Sequence, residues 1–242
     1  METIQRAIIF AAGEGTRLHP VTYEMPKPMV RVNGVRMIDT SIQALKNNGI
    51  HEIYIVAGYK KEKIKEAYAS DPDIHIIENP YYDKGNNVTS LYFAREYIKD
   101  SFIIEGDLLV QDDRIFDPHI EQSGYCAVWR EDVPEWALQM QDGRIMGCNI
   151  SGGNNTYQLY GISMWTRKDG EKLCSLLEER VEKMKDWSVY WDQIPLTLNR
   201  DDFHLGVREI PDNTLEEIDT FEELCMRDHS YLSYAGENTQ KA

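Results

Sequence analysis

Short apolar runs that read as strands alternate with helix-spaced segments through the first half of the chain, and this pattern restricts the fold most tightly. Arg6–Ala12 is apolar and runs into Gly13, the mark of a buried strand. Arg36–Asn47 carries Met37, Ile38, Ile42 and Leu45 at helical spacing and stops at Gly49. Ile53–Ala57, Ile74–Ile77 and Phe102–Glu105 read as further strands, with Lys61–Tyr68 and Thr89–Ile98 as helices between them. The alternation predicts an α/β protein with a Rossmann-like, mixed but mostly parallel sheet flanked by helices. Ligands of such sheets collect beyond the carboxyl ends of the strands. The loops after Ala12, Ala57 and Glu105 are therefore expected to share one site.

From Tyr125 to Trp165 the pattern changes to short strands broken at Asp142–Gly143 and at Gly152–Asn155, which predicts a small antiparallel addition. Lys168–Met184 reads as a helix with Leu173, Leu176, Leu177 and Val181 on one face, and Phe221–Arg227 as a closing helix. A single domain over residues 1–230 is expected, with a loosely ordered tail over 231–242.

Charge narrows the function class. With 26 Lys and Arg against 41 Asp and Glu, the formal net charge of -15 is the opposite of a general nucleic-acid binder's. A local basic pocket inside such a protein would suit an anionic ligand. No apolar run is long enough to cross a bilayer, so no membrane partner is expected. METIQRAIIFAAGEG reads as a first strand rather than a signal peptide. Cys126, Cys148, Cys174 and Cys225 are scattered with no CxxC pair, so the expectation is a reducing, cytoplasmic setting without zinc or disulfides.

The strongest functional signal is Ala11–Met29, AAGEGTRLHPVTYEMPKPM. Gly13 and Gly15 follow a strand directly, so the backbone N–H groups there can approach phosphate oxygens without interference from a Cβ. Arg17 can fork onto phosphate, and Lys27 supplies a point charge stiffened by Pro26 and Pro28. A dinucleotide fingerprint needs a third glycine where Leu18 stands, and a Walker A loop needs a Gly-Lys-Ser/Thr that is absent. The two glycines alone fit a plain strand-to-helix turn equally well. Asp107 follows the strand Phe102–Glu105, and alternation along Glu217–Ile218–Asp219 places both carboxylates on one side. Converging acids repel unless a cation lies between them, and magnesium favours carboxylates combined with substrate phosphates. A surface acid, or for Asp219 a helix N-cap, is the competing reading.

Taken in order, Gly13, Gly15, Thr16, Arg17, Leu18, Pro20, Pro26, Lys27 and Pro28 resemble the signature of the sugar-nucleotide pyrophosphorylase-like nucleotidyltransferases, a G-x-G-T/S-R-L loop followed by a P-K-P/A lysine. The resemblance implies a loop from Ala12 through Glu14 to Thr16 that wraps a triphosphate, with Arg17 and Lys27 balancing its charge. It also implies Mg2+ on Asp107 and Asp219, with Glu217 as a helper. Asn86–Asn87 with Ser90–Leu91–Tyr92, Trp129–Asp132 with Glu135–Trp136, Tyr190–Trp191–Asp192 and Glu217–Asp219 resemble segments of the bacterial CTP:phosphocholine cytidylyltransferases, over nearly the whole chain.

That branch implies CTP and a small phosphorylated amino-alcohol acceptor as partners, with CDP-choline and pyrophosphate as products. Gly85, Asn86 and Ser90 would face the cytosine edge, with Gly58 and Tyr59 closing the other side. Trp136, Tyr190 and Asp192 would hold the acceptor, with Glu217 beside them and Trp191 as a neighbour. A trimethylammonium group donates no conventional hydrogen bond, so aromatic faces and a carboxylate suit it, each cation–π contact contributing about 0.5–2 kcal/mol. Core filling is the competing reading for any one of these aromatics. If the segment is extended, Tyr190 and Asp192 share a side. The same chemistry on 2-aminoethylphosphonate or a sugar 1-phosphate, and a non-catalytic nucleotide-binding regulatory module, are the rival readings. A homo-oligomer is compatible with the sequence.

Overall fold

The computed structural model describes residues 1–237. Strands β1 (Arg6–Ala11), β2 (Glu52–Ala57), β3 (Ile74–Glu78) and β4 (Ser101–Glu105) run parallel in the spatial order β4-β1-β2-β3. Helices α1 (Met37–Asn47), α2 (Lys61–Tyr68), α3 (Val88–Phe93) and α4 (Arg167–Glu178) cover the sheet. The unbroken apolar run of β1 is explained by burial on both sides. Ala7, Ile9 and Ala11 join Ile38, Ile42 and Leu45 of α1 in one core cluster. Ile8 and Phe10 join Val88 and Leu91 of α3 and Leu173 and Leu177 of α4 in the other. Each such Ile or Leu contributes about 1.5–3 kcal/mol on burial.

The second half completes a nine-stranded sheet. After β5 (Leu108–Val110), the strands β6 (Gly124–Val133), β7 (Ala137–Gln141), β8 (Arg144–Asn149) and β9 (Gly153–Trp165) form the expected antiparallel addition. β9 lies antiparallel along β4, with Ile162 opposite Ile104. β10 (Gly206–Glu209) runs parallel to β6. Asp142 and Gly143, both at positive φ, make the tight β7–β8 turn as predicted. β6 and β9, at 10 and 13 residues, are longer than the short strands expected, and the turn before β9 falls before Gly153 instead of across it. Two helices are shorter than expected. α3 gives way to a 3-10 turn at Arg95–Tyr97, and α4 to a π-helical turn at Glu179–Lys183.

β11 (Leu215–Glu217) pairs antiparallel with β5, Glu217 opposite Leu108, and so delivers the late acids beside Asp107. α5 (Phe221–Arg227) then starts with a capping box. The Thr220 hydroxyl accepts from the Glu223 N–H, and the Glu223 carboxylate accepts from the N–H groups of Thr220 and Asp219. Thr220 is the N-cap, which leaves the Asp219 side chain available elsewhere. Ile218 and Leu224 pack with Leu18, Val21 and Val30, fastening this segment to the glycine loop. Leu232–Glu237, within the stretch expected to be a loose tail, forms a short helix, and positions 238–242 of that stretch lie outside the described residues. Among the described residues no helix is long and apolar enough to cross a membrane.

Candidate active site

The chain leaves β1 toward β2 and β3 on one side and returns to β4 on the other, so the strand order reverses between β1 and β4. Loops part at such a switch point and leave a crevice. A cavity of about 780 Å³ opens there, beyond the carboxyl ends of the two strands. Ala12, Gly13, Gly15, Thr16 and Arg17 form one lip, and Gly106–Asp107 the facing edge.

The two glycines serve different ends. A Cβ on Gly13 would meet nothing within 4 Å, so the space in front of its backbone is open to a ligand. Gly15 has φ 67, and a Cβ there would lie 2.6 Å from the Lys27 Cβ. Its role is to let Lys27 pass close behind the loop, in a conformation L side chains disfavour.

Lys27 is the hub of the charges. Its Nζ donates to Asp107 Oδ2 and to Asp219 Oδ1, both at 2.6 Å, and Arg17 donates to the same Asp219 oxygen at 2.8 Å. Burial by itself lowers the Lys27 pKa, but Asp107, and then Asp219, outweigh it and hold the ammonium above its ordinary value. Asp107, Glu217 and Asp219 each offer an oxygen, all within 4.8 Å of one another. Asp107 Oδ1 is buried and has no hydrogen-bond partner among the described residues. Glu217, whose open surface faces the cavity, is pushed above its ordinary value, first by partial loss of surrounding water and then by the like charges of Asp107 and Asp219. An all-oxygen set with one orphaned buried oxygen fits a hard divalent cation.

Trp136, Tyr190 and Asp192 line the opposite wall. Trp136 has φ 53, which a bulky residue adopts only when its surroundings enforce it. Its indole meets Tyr190 edge to face at 5.4 Å. Tyr190–Asp192 is a turn, so the alternation that holds for an extended segment does not apply: Tyr190 and Trp191 carbonyls accept from the Gln193 and Ile194 N–H groups. The two side chains still reach the same cavity because Trp191 turns inward. It packs against Phe10, Tyr125 and Trp165 with ring centroids 6.0–6.4 Å apart, so Trp191 fills the core. Asp192 is buried, its Oδ1 lacks a partner among the described residues, and burial pushes its pKa up to about 7.

Gly85, Asn86 and Ser90 also line the cavity. The amide of buried Asn79, which carries no motif, donates to the Thr89 and Ser90 hydroxyls and fixes them. Three expected residues stand outside the cavity lining. Glu14 is exposed beside His19, and Gly58 and Tyr59 brace the loop from behind, the Tyr59 N–H donating to the Ala12 carbonyl at 2.9 Å. β2 lies one strand beyond the switch point, so its loop supports the β1 loop. Asn87, Glu105 and Glu135 also line the cavity; Asn87 and Glu135 belong to segments that carry the resemblance, but the sequence assigns none of the three a role.

A family model described as nucleotidyl transferase matches residues 6–128, the β1–β6 half that carries the glycine loop, Lys27 and Asp107. The chain belongs to the nucleotidyl transferase family. Within that family it is 31% identical over 230 residues to a 2-aminoethylphosphonate cytidylyltransferase of Lancefieldella rimae, covering 93% of each chain. It is 32% identical over 222 residues to a choline-phosphate cytidylyltransferase of Streptococcus pneumoniae, covering 90% of this chain and 94% of the other. A solved structure of CTP:phosphocholine cytidylyltransferase from Streptococcus pneumoniae superposes with a TM-score of 0.85 at 29% identity, over 93% of this chain and 98% of that one. This nucleotidyl transferase falls with the cytidylyltransferases of its family.

Proposed function

We propose that the protein transfers CMP from CTP to phosphocholine, releasing pyrophosphate and forming CDP-choline. The observation that carries this reading is the Trp136–Tyr190 aromatic pair, which lines the same cavity as the phosphate-facing loop with the buried Asp192 carboxyl also on that cavity. Such a wall favours positive charge at one end of an otherwise anionic acceptor. The acceptor phosphate oxygen attacks the α-phosphorus in line. The bond to the bridging α–β oxygen breaks, and pyrophosphate departs with the electron pair. Mg2+ held by Asp107 and Asp219, with Glu217 as helper, would neutralise phosphate charge. The Gly13–Thr16 backbone and Arg17 hold the leaving phosphates, and Lys27 stabilises charge at the reacting centre. Gly85, Asn86 and Ser90 face the base. Placement and charge stabilisation supply the catalysis, since the attacking group is already anionic.

One observation favours a second reading, 2-aminoethylphosphonate. The orphaned Asp192 Oδ1 would be satisfied by an N–H donor, which a primary ammonium has and a trimethylammonium lacks. Pyrophosphate release from CTP with each acceptor, with and without Mg2+, separates them. The proposal expects phosphocholine to lead in kcat/KM by about tenfold or more, with no release in chelator. A lead for 2-aminoethylphosphonate moves the assignment to the primary amine, and no turnover with either sinks both.

Asp192 gives the acceptor step a pH dependence. A cation binds its carboxylate form, so acceptor KM should fall as pH rises through about 7, and D192N should flatten that profile. For folding the sign is opposite. The native carboxyl holds its proton up to about 7 while the unfolded one loses it near 3.8, so this group costs stability as pH rises across that interval. The glycines make a further contrast. G15A should lower stability by on the order of 1–3 kcal/mol and displace Lys27, whereas G13A should melt like wild type and bind CTP more weakly. Thermal melting and CTP titration of the pair check this, and equal behaviour of the two variants would contradict it.

A further inference from the structure

Asn87 occupies the N-cap position of α3, where an Asn side chain ordinarily accepts from the helix's own first N–H groups. Here its side chain makes no such bond. Its Oδ1 accepts from the Trp191 backbone N–H at 2.9 Å, and its Nδ2 donates to Glu105 at 3.1 Å. The Trp191 N–H has no acceptor role, so the amide orientation follows from the donor it faces. One residue thus joins the nucleotide side of the cavity, the end of β4, and the turn that presents Tyr190 and Asp192.

The neighbouring contacts run the same way. The Asn86 N–H donates to the Trp187 carbonyl at 2.7 Å, so the segment before the turn is also hung from the loop at 85–87. Trp191 itself is locked in the aromatic core, which fixes the middle of the turn from below. The aromatic core does not engage the Trp191 N–H, and Asn87 supplies its acceptor.

We propose that Asn87 is a positioning and specificity-determining residue: its amide, spanning Trp191 and Glu105, sets where Tyr190 and Asp192 stand and so controls acceptor recognition. This rests on the cavity's far wall being the acceptor site, as proposed above. Asn87 acts through the turn, so its loss changes acceptor binding more than nucleotide binding. Tyr190 and Asp192 stand to either side of the bonded N–H, and both shift when it is released. Glu105, at the opposite end of the amide, keeps Asn87 from returning to its ordinary capping bond.

The test uses the full-length protein with N87A and with N87L, which keeps more of the volume. Hydrogen exchange of the Trp191 amide is read by NMR. Dissociation constants for a non-hydrolysable CTP analogue alone, and for phosphocholine or 2-aminoethylphosphonate with the analogue present, are read by calorimetry. The inference expects loss of Trp191 protection, acceptor affinity weaker by about tenfold, and analogue affinity within about twofold of wild type. It also expects a changed ratio between the two acceptors. An amide as protected in both variants as in wild type would overturn it, and so would a parallel loss of both affinities. The exchange measurement involves no substrate, so it judges Asn87 whatever the enzyme transfers. Failure of wild type to bind either acceptor would instead overturn the functional reading.

Discussion

K27M is expected to lower kcat by about 10²–10³-fold, the effect of removing one preorganised charge from a reacting phosphoryl centre. Lys27 is buried, stands 2.6 Å from both Asp107 and Asp219, and is aimed by Gly15 behind it. The same variant should reveal what Lys27 does in the ligand-free protein. Without the ammonium, Asp107, Glu217 and Asp219 face one another with only the Arg17 guanidinium, on Asp219, left to offset them. A fully buried pair that loses one partner costs about 3–5 kcal/mol, and here Asp107 and Asp219 keep about a fifth of their side-chain surface and Glu217 more, so less is expected. Melting in chelator should therefore fall modestly, and Mg2+ should restore it more in K27M than in wild type. A variant that kept near-full activity would remove Lys27 from the mechanism.

D219N is expected to reduce kcat/KM by about 10²-fold or more, with part of the loss recovered at high metal concentration. Asp219 meets Arg17, Lys27 and the other two acids at once, so no other carboxylate here has as many roles. The two substitutions should act in opposite senses on metal affinity measured without nucleotide. K27M removes a cation that competes for the carboxylates and should tighten Mn2+ binding, whereas D219N removes a ligand and should weaken it. Equal shifts in both would show that the metal lies elsewhere.

The parts of this site that were legible are those with a local signal. The loop from Gly13 to Lys27 packs glycines, prolines and two cations into one stretch, and each has a separate physical reason to be there. Alternation correctly put Glu217 and Asp219 on one side, but their meeting with Lys27, 192 positions from Asp219, depends on β11 pairing with β5. Strand pairing is a long-range choice that one sequence does not display. Gly58 and Tyr59 misled because a loop at a carboxyl end was expected to face the ligand, and strand order decides which such loops do. The left-handed backbone of Trp136 and the turn at Tyr190–Asp192 were hidden for a related reason. Trp136 meets Tyr190 from across the chain, and the turn, closed by its own local bonds, is anchored by Trp191 on Asn87 and in the aromatic core. Asn87 was invisible as a site residue because its partners, Glu105 and Trp191, are remote in the chain.

The central claim is that the glycine loop, Lys27 and the acids at 107 and 219 surround one divalent cation and one triphosphate. Anomalous scattering from crystals grown with Mn2+ and a non-hydrolysable CTP analogue tests it most directly. The account predicts a manganese peak within about 2.2 Å of oxygens from both Asp107 and Asp219 and of a nucleotide phosphate, with Lys27 on the same phosphates. A peak that touches neither aspartate, or a triphosphate bound away from Gly13, would contradict it.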